Sequence, residues 1–255
     1  MSTNELTPRS LKNILSFPFR GEQWPARFLI GVGLTLAGFI VPIVPGVFQL
    51  GYFARIMRRA IRGEEIELPA WDDWGKLGMD GLRLIGVSLV YMLPGLVVLF
   101  GGMALYIVGF FGFMIVTETA DRFSKMAIVM PLLMFILMGI MFLSMFLGYF
   151  LLILGAVPLQ VAQARTVDQE QFSAAFHLNE ISKLFWRNKA GYFVVWVIII
   201  GLLGIFYFVS MMFYMTIILS WAMFLIAIPF GFYILAVMGV LLGQAYRENL
   251  EAPAA

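Results

Sequence analysis

The sequence has no cysteine and a single histidine, His177. The first absence excludes disulfides, thiolate metal sites and iron–sulfur clusters; the second excludes bis-histidine haem ligation and a multi-histidine zinc site within the chain. Charge is also scarce. Of 255 residues, 13% are Asp, Glu, Lys or Arg, 62% are hydrophobic, and the net charge is +2. A soluble domain carries about a quarter charged residues. The near-neutral balance argues against nucleic acid as a partner. Mean hydropathy is +0.93, too high for a protein that hides its apolar surface from water.

The charges are absent from particular stretches. None occurs between Arg27 and Arg55, Arg83 and Glu118, Lys125 and Arg165, or Lys189 and Arg247. Each gap matches or exceeds the roughly 20 residues that a helix needs to cross a bilayer. In lipid every backbone polar group needs an internal partner, which leaves helices or closed barrels. Barrel strands alternate polar and apolar residues. These runs are apolar all round, so the expected fold is an all-α transmembrane helix bundle with two interfacial amphipathic segments.

The chain divides into a polar segment 1–27, one transmembrane domain over 28–246 and a short tail, 247–255. No cleavable leader is expected. Within the domain, apolar blocks 28–57, 82–116, 126–162 and 191–246 alternate with polar stretches 58–81, 117–125 and 163–190. The last block, about 80 Å long as one helix, must cross twice, with a break near Thr216–Ser220. The reading is five spans, or six if Gly101-Gly102 opens a re-entrant piece. Five spans put six Lys and Arg residues on one side (Arg9, Lys12, Arg20, Arg27, Arg122 and Lys125) and eleven on the other. The positive-inside rule then makes the two long polar segments cytoplasmic, on the plasma membrane. It also leaves a basic N-terminus outside. A first block turning back at Pro42–Pro45 would remove that conflict. An offset of 110 aligns Arg55 with Arg165 and Gly81 with Gly191, a weak sign of two halves, about 28–125 and 126–246.

Arg55, Arg58, Arg59 and Arg62 fall at i, i+3, i+4 and i+7, opposite Phe53, Ile56, Met57, Ala60 and Ile61. Such a helix end either snorkels its arginines to set topology or holds an anionic headgroup. Trp71-Asp72-Asp73-Trp74 reads as a helix start with interfacial tryptophans, or as a carboxylate pair for acid–base chemistry. In the second polar segment Ala174, Leu178, Ile181 and Phe185 make one face of an amphipathic helix, with His177, Glu180, Lys183 and Arg187 on another. Arg165 and Arg187 join the candidate headgroup or partner contacts. Met126, Met130, Met134, Met138, Met141 and Met145 share about 120° of one helix face; packing outweighs a Cu(I) path. Gly239-x-x-x-Gly243 permits close helix approach, within the chain or across a dimer. No catalytic residue, metal ligand or cofactor is expected.

Gly51-Tyr52-x-x-Arg55-x-x-Arg58, Gly63-Glu64-Glu65, Leu68-Pro69-x-Trp71-Asp72-Asp73-Trp74, Asp80-Gly81 and Tyr91-x-x-Pro94 together resemble a family of bacterial and archaeal multi-pass membrane proteins of unknown function, domain of unknown function 4013. Ala164-Arg165, Phe172-x-Ala174-Ala175-Phe176, Ile181 and Arg187-Asn188 continue the likeness, over roughly 28–246. Two places depart from the pattern. His177 stands where an acidic residue is expected, and Val167–Gln171 replaces a shorter turn containing glycine. The resemblance implies the membrane fold and assigns no activity.

No ionisable residue lies mid-membrane, where ion-coupled carriers need one. The leading reading is therefore non-enzymatic: a structural or accessory subunit, or a lipid-interacting membrane organiser. Its partners would be membrane lipids with anionic headgroups, a larger membrane complex or a second copy. A permease or lipid transporter of two similar halves is the alternative, and an enzyme on lipid headgroups is the third.

Overall fold

The computed structural model describes residues 8–41, 43–119, 126–215 and 217–251, without the side chains of 8–10, 117–119, 126–128, 217–220 and 224. Among these residues there is no strand. Eight α-helices occur in order: α1 (Pro8–Ser16), α2 (Trp24–Ala37), α3 (Ile43–Arg62), α4 (Trp74–Thr119), α5 (Met126–Gln169), α6 (Leu178–Arg187), α7 (Lys189–Tyr214) and α8 (Ile217–Glu251). Short 3-10 turns precede α2 and α6. The all-α expectation is met. Four helices, α4, α5, α7 and α8, are long and apolar enough to cross a membrane.

The first block does not form one helix of span length. Residues 28–57 divide between the 14-residue α2 and the start of α3. At 1.5 Å per residue α2 is only about 21 Å long, short of the roughly 30 Å core. The chain turns at residues 38–41, just before Pro42, which lies outside the described residues. α2 and α3 then run antiparallel. The Gln49 amide donates to the Gly31 carbonyl at 3.3 Å and to the Thr35 hydroxyl, satisfying polar groups within an apolar hairpin.

Blocks 82–116 and 126–162 lie within single unbroken helices of 46 and 44 residues. Gly101-Gly102 does not open α4. A break there would strand backbone N–H and C=O groups in apolar surroundings. The last block divides as expected, between Tyr214 and Ile217, and Thr216 itself lies outside the described residues.

The chain forms two compact units, 88–159 and the remainder. The smaller is a stretch of the α4 and α5 hairpin. Its seam is built on glycine at heptad spacing: Gly95, Gly102 and Gly109 on α4 meet Leu152, Ser144 and Leu137, while Gly148 and Gly155 on α5 meet Leu99 and the Tyr91 carbonyl. Small residues let helices approach closely in lipid. Met130, Met134, Met141 and Met145 are half-buried on α5, and Met126 has no described side chain. The outward surface is apolar, with Phe135, Leu143 and Phe146 each more than 60% exposed.

In the larger unit α3 lies parallel to α8. Gly239 meets Phe53 and Ile56, and Gly243 meets Ala60 and the Met57 carbonyl, so the Gly-x-x-x-Gly pair packs within the chain. α7 runs antiparallel to α8: Phe206 stacks on Phe230 at 4.6 Å, and Asn249 donates to the Tyr192 hydroxyl at 3.2 Å. α3 crosses the start of α4 with almost no separation. A Cβ on Gly51 would strike the Leu77 carbonyl, and one on Gly81 would strike the Val47 carbonyl. The core of this unit includes Tyr52, Met57, Leu68, Val161, Tyr192 and Phe232. α4 leaves the unit and α5 returns to it.

Candidate functional site

Charged residues gather where α3, α5 and α8 end and α4 and α7 begin. The helical spacing of Arg55, Arg58, Arg59 and Arg62 does place them along one side of α3, but each goes to a different task. Arg58 is enclosed, 7% exposed. It reaches Asp80 at 2.8 Å on α4, and its Nε faces the Val167 carbonyl and Glu170, both at 3.3 Å, at the end of α5. Asp80 also accepts from Arg83 at 3.1 Å. Arg59 pairs with Glu64 at 3.1 Å, and Arg62, 60% exposed, lies 4.0 Å from the same carboxylate. Of the four arginines, Arg62 is the most exposed.

The Leu68-to-Trp74 motif is a strap across α3. Leu68 is fully buried and its carbonyl accepts from Arg27. Tyr52 donates to the Pro69 carbonyl at 2.8 Å, and Arg55 donates to the Ala70 and Asp72 carbonyls at 2.8 and 2.9 Å. Trp71 stacks on Tyr52 with ring centroids 3.8 Å apart and donates to the Arg27 carbonyl at 2.7 Å. Burial pushes the Tyr52 phenol well above its ordinary pKa, so it stays a donor. Trp74, at 43% exposure, packs edge-on against Phe48.

Asp72 and Asp73 point apart. The Asp72 carboxylate meets the Arg55 guanidinium, whose hydrogen bond holds its pKa below the usual value. The Asp73 carboxylate accepts from the Lys76 backbone N–H at 3.1 Å and caps α4. Both carboxylates are occupied structurally. Among the described residues no group of His, Cys, Asp or Glu is placed to hold a metal ion.

The second polar segment is organised differently from its sequence pattern. Ala174 is buried, yet Leu178 is 63% exposed. A 3-10 turn ends at His177, so the helical phase running to Ala174 does not carry into α6. His177 itself is exposed. α6 buries Ile181, while Leu178 and Trp186 (65% exposed) face outward. Lys183 and Arg187 are exposed beside them, and Lys189 lies 5.7 Å from the Trp186 ring centroid. Arg165 pairs with Glu180, and among the described residues its buried Nε has no partner. Between α5, α6 and α8 a cleft of about 340 Å³ is lined by Arg165, Asp168, Glu180, Lys183, Leu184 and Tyr246, among others. A second recess, about 410 Å³, is almost wholly apolar and is walled by Phe19, Phe28, Ile226, Pro229, Phe230 and Tyr233.

Several linchpins carry no chemical motif, and sequence reasoning passes over them. Glu170 sits at φ 53 and takes a hydrogen bond from Lys76, which lowers its pKa with help from Arg58. Asn188 accepts from the Gly191 N–H at 3.0 Å and donates to the Ala245 carbonyl and Glu248, fixing α7 to α8. The one signal in the sequence is position: Asn188 and Gly191 stand at the junction of a polar segment with an apolar run.

Four long apolar helices, and no strand among the described residues, define an all-α membrane protein. The chain belongs to the family described as "Protein of unknown function (DUF4013)", whose model matches residues 34–215, more than half its length. The match spans α3 to α7 and stops short of α8, a narrower range than the motifs outlined. Neither curated proteins nor solved structures give a significant match.

Proposed function

We propose that this protein is a non-enzymatic, lipid-interacting organiser of the plasma membrane, crossing it four times with its charged end in the cytoplasm. The observation that carries the reading is α6. It shows three faces: Ile181 inward, Leu178 and Trp186 outward, and Lys183 with Arg187 between them. An apolar stripe with an interfacial tryptophan and flanking basic residues is the chemistry of a helix lying in the headgroup layer. The apolar recess between Phe19 and Tyr233 suits an acyl chain. Charge supports the orientation. Of 17 Lys and Arg residues, all except Arg122 and Lys125 lie before α4, between α5 and α7, after α8, or at the helix ends meeting those segments. Four crossings put these segments on one side, which the positive-inside rule makes cytoplasmic. The basic N-terminus then needs no exception.

A permease is the second reading. It is favoured by the parallel between Arg55–Asp72 and Arg165–Glu180, in which an arginine near a helix end grips an acid in the following polar segment. Native mass spectrometry of the protein in nanodiscs tests the leading reading. A fixed number of retained lipids, fewer in Trp186→Ala, is the expected result. A stoichiometric protein partner without retained lipid would replace it with an accessory-subunit role.

A further inference from the structure

The cleft between α5, α6 and α8 has a charge pattern that a simple anion site lacks. Arg165 and Lys183 bring two positive charges, and Asp168 and Glu180 bring two negative ones. The cations do not have equal partners. Arg165 is 9% exposed, and among the described residues its only ion-pair partner is Glu180. Among the described residues its buried Nε–H has no acceptor, in an environment where an unmade hydrogen bond is costly. Lys183 is exposed and has no ion-pair partner among the described residues. Asp168 is tied only loosely, by the Tyr246 hydroxyl at 3.4 Å. Glu180 is half exposed, on a ten-residue helix.

An anion entering here would have to displace Glu180 from Arg165 and leave that carboxylate beside it, so like charges oppose it. A cation meets the converse problem at Arg165 and Lys183. A net-neutral ligand carrying both charges satisfies all four groups. Its phosphate would take Arg165 and Lys183, and its ammonium would take Asp168 and Glu180. Leu184 and Leu250 complete the wall and offer apolar surface to the glycerol and acyl region beyond the headgroup. The volume, about 340 Å³, suits a small headgroup rather than a whole lipid.

We infer that this cleft binds a zwitterionic phospho-amine, the chemistry of a phosphoethanolamine headgroup. The inference rests on the lipid-interacting reading and narrows it to one class of lipid and one site. The exposed Lys183 and Glu180 are the residues to change, and Glu180→Gln keeps a polar acceptor beside Arg165. The full-length protein in detergent is titrated with short-chain phosphatidylethanolamine, phosphatidylglycerol of the same chains, and free O-phosphoethanolamine. Wild type is expected to bind the ethanolamine lipid at least about tenfold tighter than the glycerol lipid, the loss of one charge-assisted contact. Glu180→Gln should erase that preference, whereas Lys183→Gln, which loses a contact to the phosphate that both lipids carry, should weaken both. Competition by free phosphoethanolamine would make the soluble zwitterion a source as well, and its failure to compete would restrict the site to the lipid. Equal affinity of wild type for the two lipids, a preference unchanged in Glu180→Gln, or affinities unchanged in Lys183→Gln overturns the inference. If native mass spectrometry shows lipid held while these variants behave as wild type, the cleft assignment fails and the general reading survives. If no lipid is held at all, both fail.

Discussion

Arg58 and Asp80 form a 2.8 Å ion pair in which neither side chain is more than 9% exposed. The pair joins α3 to α4, and the same guanidinium reaches the Val167 carbonyl at the end of α5. Removing one partner of a buried pair leaves an uncompensated charge, at a cost of about 3–5 kcal/mol. Asp80→Ala leaves Arg58 with Glu170 alone, at 3.3 Å, and also releases Arg83. It is expected to lower stability by up to that amount, measured by denaturant unfolding in mixed micelles. Arg58→Met combined with Asp80→Leu should recover part of the loss. Equal stability of wild type and Asp80→Ala would show that the pair is solvated.

The α3–α4 crossing depends on two glycines facing backbone. At Gly51 and Gly81 an added Cβ meets a carbonyl of the other helix, which no side-chain adjustment can relieve. Gly51→Ala and Gly81→Ala should each unfold or greatly loosen the protein. Gly101 is the control, because nothing lies within 4 Å of its Cβ position. Gly101→Ala should leave stability unchanged or raise it by about 0.5–1 kcal/mol through helix propensity. Size-exclusion profiles and unfolding curves separate these outcomes.

Much of this architecture can be read from the residues, and the failures have identifiable causes. Charge-free runs mark all four long helices because lipid excludes charge. The Leu-Pro-x-Trp-Asp-Asp-Trp stretch stands out because nearly every one of its residues has a partner on α2, α3 or the first turn of α4. What sequence missed is three-dimensional. Residues 28–57 are long and apolar enough for a span, and only Pro42 and Pro45 point to the turn that divides them. Helical spacing put Arg58 beside Arg55, Arg59 and Arg62, but only tertiary packing on α4 and α5 encloses it. The Ala174-to-Phe185 face failed where a 3-10 turn shifted the phase.

Glu170 occupies the left-handed region at φ 53, a conformation that favours glycine. A side chain there is strained by about 1 kcal/mol or more. Glu170→Ala loses the contacts to Lys76 and Arg58 and keeps the strain, whereas Glu170→Gly loses the contacts and relieves it. The glycine variant should be the more stable of the two by about 1 kcal/mol. Equal stability of the two would mean that the backbone relaxes out of this conformation.

Asp72 and Glu170 both have lowered pKa values, through hydrogen bonds from Arg55 and Lys76 respectively. A carboxylate stabilised in the folded state contributes above its unfolded pKa and loses that contribution as pH falls through the folded value. Thermal stability should therefore be insensitive to these groups from neutrality down to about pH 5, then fall below the ordinary carboxylate range near about 4. Asp72→Asn and Glu170→Gln together should flatten the acid limb. An unchanged acid limb in the double variant would assign it to other carboxylates.

The side of the membrane on which each segment lies can be measured without altering native residues first, because the chain contains no cysteine. Asn179→Cys places a thiol on the exposed side of α6, and Ser124→Cys places one in the stretch joining α4 to α5. With α4, α5, α7 and α8 as the crossings, an impermeant maleimide on intact cells should label position 124 and leave 179 until the membrane is opened. A third thiol at Thr3, before α1, should behave like position 179. The first block is what that thiol reports. If α2 and α3 together form a hairpin that dips and returns, the N-terminus stays on the cytoplasmic side with Arg62 and Arg165. If residues 28–57 crossed as one span, position 3 would label in intact cells while 179 stayed protected. That pattern would restore five crossings and leave four basic residues outside.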